Sequence, residues 1–168
     1  MRAIPERAVD FVARFEGLKL ESYVCAAGVL TIGYGHTGPE VHAGQRITLA
    51  KAKAYLADDL KTAAARLEAN VGRAVVDQLS EGQYVALLSF VYNLGLNSGW
   101  QVTKLLKARQ FDAVPAQLTR FNKARGKVLK GLVTRRAAEV ALWNEDADDE
   151  ELPSSITRSE PTPPGSSA

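Results

Sequence analysis

The sequence predicts an α+β chain, mostly helical, in which a small β-hairpin lobe near the N-terminus is joined by one long helix to an all-helical lobe. Three observations carry this expectation. Apolar residues recur at helical spacing through most of the chain, helix start and stop residues stand at the expected places, and residues 22–35 alone are rich in β-formers and glycine. With 168 residues, 46% hydrophobic and 24% charged, the chain suits one compact domain and is unlike a disordered or fibrous protein.

The first helix follows from Pro5 at a first helical position and the apolar stripe Ala8, Phe11, Val12 and Phe15. Gly17 reads as its C-terminal stop, which puts Glu16 on the last turn. Tyr23-Val24-Cys25 and Val29-Leu30-Thr31-Ile32, separated by Ala26-Ala27-Gly28, read as a hairpin with a three-residue loop. A glycine-rich region (33, 35, 38, 44) ends at Thr48, an N-cap for a long helix carrying Leu49, Leu56, Leu60 and Leu67 and stopping near Gly72. Ser80-Glu81-Gly82-Gln83 has the form of a capping box, and the apolar stretch Tyr84 to Leu94 after it belongs at the centre of a bundle. Shorter helices are expected at about 100–108, 111–121 and 131–144. After these comes an acidic, Pro/Ser-rich tail over 146–168, expected to be disordered, which leaves 1–145 as the folded domain.

The net charge of +2 conceals two unlike parts. Residues 1–144 hold 20 bases and 12 acids, a net +8, whereas residues 145–168 hold seven acids and one base, Arg158, a net −6. A basic body suits an anionic partner such as nucleic acid, a membrane or a bacterial wall. Nucleic acid is set aside because no helix-turn-helix, finger or aromatic RNA-binding signature occurs. The lone Cys25 excludes an internal disulfide and any cysteine-based metal cluster. No apolar run approaches the roughly 20 residues of a membrane span, so no stable membrane insertion is expected.

Two motifs are decoys. Gly33-Tyr34-Gly35-His36-Thr37-Gly38 has dinucleotide-loop spacing, but Pro39 and Gly44 follow where a helix would have to open, so the glycines read as a sharp strand turn beside a cleft. His36 and His42, six apart in a loop, have no recognised ligand spacing, and His36 reads as a histidine held by a carboxylate. No cofactor and no metal site is expected.

Glu16 is the residue with chemical promise. A carboxyl at a helix end facing a glycine-rich hairpin can sit desolvated in a cleft wall as a general acid, or be a solvated helix-end charge; the residues alone leave both open. The spacing Glu16, Cys25, Thr31 resembles the glutamate, aspartate-or-cysteine, threonine set of the phage-type lysozymes, the endolysins of glycoside hydrolase family 24. Around it, Phe15-Glu16-Gly17-Leu18 and Thr31-Ile32-Gly33-Tyr34-Gly35-His36 resemble that family's catalytic hairpin. Ser89-Phe90-Val91-Tyr92-Asn93-Leu94-Gly95 resembles its central helix, and Gly131 to Glu139, with Arg135 and Arg136, the start of its last core helix.

The resemblance implies a lysozyme-like two-lobed fold and a muramidase that cuts the β-1,4 bond between N-acetylmuramic acid and N-acetylglucosamine in peptidoglycan. Glu16 would be the general acid. Cys25, where many members carry aspartate, would be a thiolate nucleophile, a weak base or a group that positions water. Thr31, expected across the hairpin from Cys25, would bind that water or shape the floor of the cleft. Arg135, Arg136 and Glu139 would orient the helix or touch the glycan, or else form a surface ion pair. A non-catalytic wall-binding module and a lytic transglycosylase are the alternatives. With no segment resembling a signal peptide, the expected course is accumulation as a monomer in the host cytoplasm, with a holin giving access to the wall.

Overall fold

The computed structural model describes the backbone of residues 1–150 and the side chains of residues 1–147. Helix α1 spans Glu6–Ala13, shorter than its apolar stripe suggests, with Ala8, Phe11 and Val12 buried. Pro5 is its N-cap rather than its first helical residue. The helix ends in tight turns, Arg14 N–H donating to Phe11 O (3.3 Å) and Phe15 N–H to Val12 O (3.0 Å), so a left-handed glycine stop is not needed. Glu16 therefore lies beyond the helix, in the turn that leads to the hairpin.

Strands β1 (Lys19–Val24) and β2 (Leu30–Gly33) pair antiparallel, with Val24 opposite Leu30 and Tyr23 opposite Thr31. Cys25 N–H donates to Val29 O and Gly28 N–H to Cys25 O, closing the three-residue loop read from the sequence. β2 then doubles back at once: Ile32 and His36 exchange both backbone hydrogen bonds, with Gly33 at φ 67° and Gly35 at φ 89°. Those left-handed angles are what the apparent dinucleotide motif supplies.

Helix α2 (Leu49–Val71) starts where Thr48 accepts from Lys51 N–H and runs about 35 Å at 1.5 Å per residue, linking the hairpin lobe to the helical lobe. Leu56, Leu60 and Leu67 are buried along it, while Leu49 is exposed. A short helix that the periodicity did not indicate, α3 (Arg73–Gln78), follows Gly72 directly. Helix α4 (Glu81–Leu94) opens with both hydrogen bonds of the Ser80/Gln83 capping box and is buried on every face from Tyr84 to Val91, as its composition requires. It packs against α1, α2 and the last helix, α7 (Lys130–Glu150). Gly82 sets how closely α7 approaches: a Cβ there would lie 2.4 Å from Leu142 O.

Between α4 and α7 stand α5 (Gln101–Lys107), a 3-10 turn (Phe111–Ala113), α6 (Val114–Leu118) and a two-residue hairpin, β3 (Lys123–Ala124) with β4 (Lys127–Val128), which the sequence did not reveal. Trp100 and Phe121, with ring centroids 4.8 Å apart, pack edge-on against Phe90 of α4 and fix the root of that hairpin. Helix α7 continues five residues past the expected boundary at 145, so that boundary falls inside it; residues 151–168 of the expected tail lie outside the described residues. No helix among the described residues is long and apolar enough to cross a membrane.

Candidate active site

A cleft of about 340 Å³ lies between the hairpin lobe and the helical lobe, lined by Glu16, Tyr34, Gly35, Thr37, Asp59, Tyr92 and Asn93. Donors and acceptors dominate this lining, which suits a ligand carrying many hydroxyl and amide groups. Tyr92 donates to Tyr34 O (2.8 Å), and burial holds its phenol neutral, well above its ordinary pKa. The hydrogen bond thereby ties α4 to the turn after β2 across the cleft floor.

Glu16 is three-quarters covered, and its Oε1 accepts a 2.7 Å hydrogen bond from Arg135 Nη1. Arg135 is itself fixed: Nε donates to Ser89 Oγ (3.2 Å), Nη2 to Ser89 O (3.3 Å), and Nε stands 3.6 Å from Glu139 Oε1. One turn of α7 thus carries a buried charge network. Glu139 also accepts from Ser89 Oγ (2.7 Å) and from Arg136 Nη2 (3.0 Å), and its Oε2 is in ion contact with Arg136 Nε at 2.8 Å. Arg136 Nη2 donates in turn to Asn93 Oδ1 (2.9 Å), so the amide group of Asn93 left for a ligand in the cleft is its NH2.

These three α7 residues are not the surface ion pair considered from the sequence; each is at least 97% buried. The local signal was present, since Arg135, Arg136 and Glu139 at i, i+1 and i+4 share a helix with buried Trp143, but nothing local to it names Glu16, 119 positions away. Tyr34, Asp59, Tyr92 and Asn93 were likewise missed as lining residues.

Cys25 and Thr31 are not among the cleft-lining residues and stand further along the hairpin. Thr31 is opposite Tyr23, not Cys25; because Cys25 is bonded to Val29, two positions from Thr31, the two are diagonal neighbours. Cys25 is half-buried and Thr31 buried, its hydroxyl donating to Val29 O (3.0 Å). The backbone N–H groups of Val29 and Ala27 lower the Cys25 thiol from its usual value by stabilising the thiolate.

His36 is the histidine held by carboxylates that the sequence suggested, with two rather than one. Nδ1 lies 2.9 Å from Asp59 Oδ2 and Nε2 2.5 Å from Glu40 Oε1, and the ring stacks on Tyr55 at 4.1 Å. Burial pulls the imidazole pKa down, but the bonds and charges of Asp59 and Glu40 outweigh it and the net shift is upward. A group whose pKa is raised on folding stabilises the fold fully below its unfolded value, about 6.5, and loses that contribution as pH rises through the folded value. Melting temperature is therefore expected to fall as pH rises above about 6.5, and His36→Gln to flatten that slope. Equal slopes in parent and variant would show the triad to be pH-neutral.

The family model described as phage lysozyme matches residues 13–139. The endolysin of Acyrthosiphon pisum secondary endosymbiont phage 1 is 35% identical over 146 residues, covering 83% of this chain and 97% of that one. The endolysin of Bacillus phage PZA is 36% identical over 145 residues, 84% of this chain and 55% of that protein, so the chain spans about half the length of that relative. Among solved structures, a lysozyme of phage P22 superposes with a TM-score of 0.75 at 30% identity, covering 85% of this chain and 99% of that one. The two-lobed architecture, with Glu16 in the cleft between the lobes, and these matches along most of the chain together show that the protein belongs to the phage lysozyme family.

Proposed function

We propose that the chain is an endolysin-type muramidase that hydrolyses the β-1,4 bond between N-acetylmuramic acid and N-acetylglucosamine in peptidoglycan. The observation that carries this is the mostly covered carboxyl of Glu16, held by Arg135 at the wall of a polar inter-lobe cleft in a phage lysozyme fold. Glu16 gives its proton to the glycosidic oxygen as the bond to the muramic C1 breaks. The Cys25 thiolate takes a proton from a water aligned by Thr31, and that water's oxygen bonds to C1. Proton exchange with solvent restores both groups. The lowered thiol pKa favours this role because it increases the thiolate fraction near neutral pH. The family relation further suggests a monomer that reaches the wall once a holin has opened the membrane.

The test is a clearing assay on outer-membrane-stripped Gram-negative cells with mass analysis of the products. Hydrolysis gives reducing ends; anhydro ends, one water lighter, would replace the reading with a transglycosylase, and binding without lysis with a wall-binding module. In the same assay Cys25→Asp is expected to keep clearing and Cys25→Ser to lose roughly 10²-fold. Full activity in the serine variant, or a glycosyl adduct on Cys25, would eliminate the base role.

A further inference from the structure

The network behind Glu16 holds more charge than the fold needs. Arg136 is buried, and its Nη1 has no hydrogen-bond partner among the described residues. Nη2 carries the bonds to Asn93 and Glu139, and the guanidinium lies 5.0 Å from the centre of the Phe90 ring. A buried donor left unpaired is destabilising, and a buried ion pair often holds a fold no better than apolar side chains of similar volume. Stability therefore does not account for Arg136; what it touches does.

Both ends of the network emerge in the cleft. From the buried carboxylate of Glu139 one branch runs through Ser89 Oγ and Arg135 to Glu16. The other runs through Arg136 to Asn93. Glu16 and Asn93 line the same cavity. At each end the chemistry is of one kind, because a guanidinium only donates and so occupies an oxygen. Arg135 on Oε1 leaves Oε2 of Glu16 as the atom that carries the transferable proton. Arg136 on Oδ1 leaves the Asn93 NH2 as the group that meets a ligand. The terminal torsions of Glu and Asn are broad and roughly two-fold, so without its arginine either group can turn over.

Resting on the muramidase reading, we infer that Glu139 and Arg136 are positioning residues for the reaction. One buried carboxylate aims both arginines: Arg135 fixes the oxygen from which Glu16 delivers its proton, and Arg136 fixes Asn93 as a hydrogen-bond donor to a hydroxyl or amide oxygen of the bound glycan. The two branches act on different quantities. Looseness in the Ser89–Arg135 branch spoils the alignment of proton transfer and lowers kcat, whereas looseness in the Arg136 branch weakens substrate binding and raises KM.

The experiment measures kcat and KM for release of reducing ends from soluble peptidoglycan fragments, together with melting temperature, all assays being run below the lowest melting point of the set. Ser89→Ala is expected to lower kcat about ten-fold with KM within about two-fold of the parent. Arg136→Met is expected to raise KM about five-fold with kcat within about two-fold, and to add nothing to KM once Asn93→Ala is present. The double variant Arg136→Met, Glu139→Leu is expected to keep both defects although it melts above Glu139→Gln. Activity that recovers with melting temperature across the set overturns the inference, because a merely structural network predicts that. So does the same change of kcat and KM in Ser89→Ala and Arg136→Met, or an Arg136→Met effect that persists in full beside Asn93→Ala. A parent that releases no reducing ends fails the muramidase reading and the inference with it; a parent that cleaves while its variants show no split fails the inference alone.

Discussion

Replacing Glu16 with glutamine is expected to cut wall clearing by roughly 10² to 10⁴-fold, the range general acids contribute, while leaving the fold in place. Glutamine has nearly the same shape, and its side-chain oxygen can still accept from Arg135 Nη1. Arg135 keeps its bonds to Ser89 and its neighbour Glu139, so the buried network is not dismantled. Only the transferable proton is lost. Activity and thermal melting of the purified variant, measured together, check this: clearing at the parent rate would remove Glu16 from the acid role, and a collapse in melting temperature would mean that its charge is structural.

The largest stability effect is expected at Glu139. Its carboxylate lies fully buried between Arg135 and Arg136, and burial pushes its pKa up while the two guanidinium groups and Ser89 oppose that shift. Glu139→Gln leaves two buried cations without that countercharge, which costs about 3–5 kcal/mol in comparable buried pairs. For a chain of this size, about 2–4 °C per kcal/mol converts that to a fall in melting temperature on the order of 10 °C. The double variant Arg136→Met, Glu139→Leu removes charge of both signs and should melt above the single variant. A single variant melting within a degree or two of the parent would show that solvent or rearrangement compensates the site. Because Glu139 also braces Arg135, activity should fall with it even where the protein remains folded.

Both expectations concern residues that the sequence treated very unequally. Glu16, Cys25 and Thr31 stood out through their spacing, and the structure brings Cys25 and Thr31 together as diagonal neighbours on one hairpin. The hairpin loop, the Thr48 cap, the Ser80/Gln83 box and the all-round burial of α4 were legible because each is encoded within a few residues: a period, a cap or a turn. The end of α1 was misread because Phe15 continues the apolar period although the backbone has already turned after Ala13. The β3–β4 hairpin escaped because two-residue strands carry no period.

What the sequence by itself determined is therefore the first hairpin and the longer helices, the candidate chemistry at positions 16, 25 and 31, and the split between a basic body and an acidic end. The tertiary structure decided which partners complete that chemistry. Arg135 reaches Glu16 only because α7 lies along α4, close enough to require Gly82. Asn93 turns its NH2 towards the cleft only because Arg136 occupies its oxygen. His36 is held by Asp59 because α2 passes behind the turn after β2. Each of these depends on the placement of helices remote in sequence, and burial then removes the water that would otherwise compete for the same charges. Local periodicity carries no record of either.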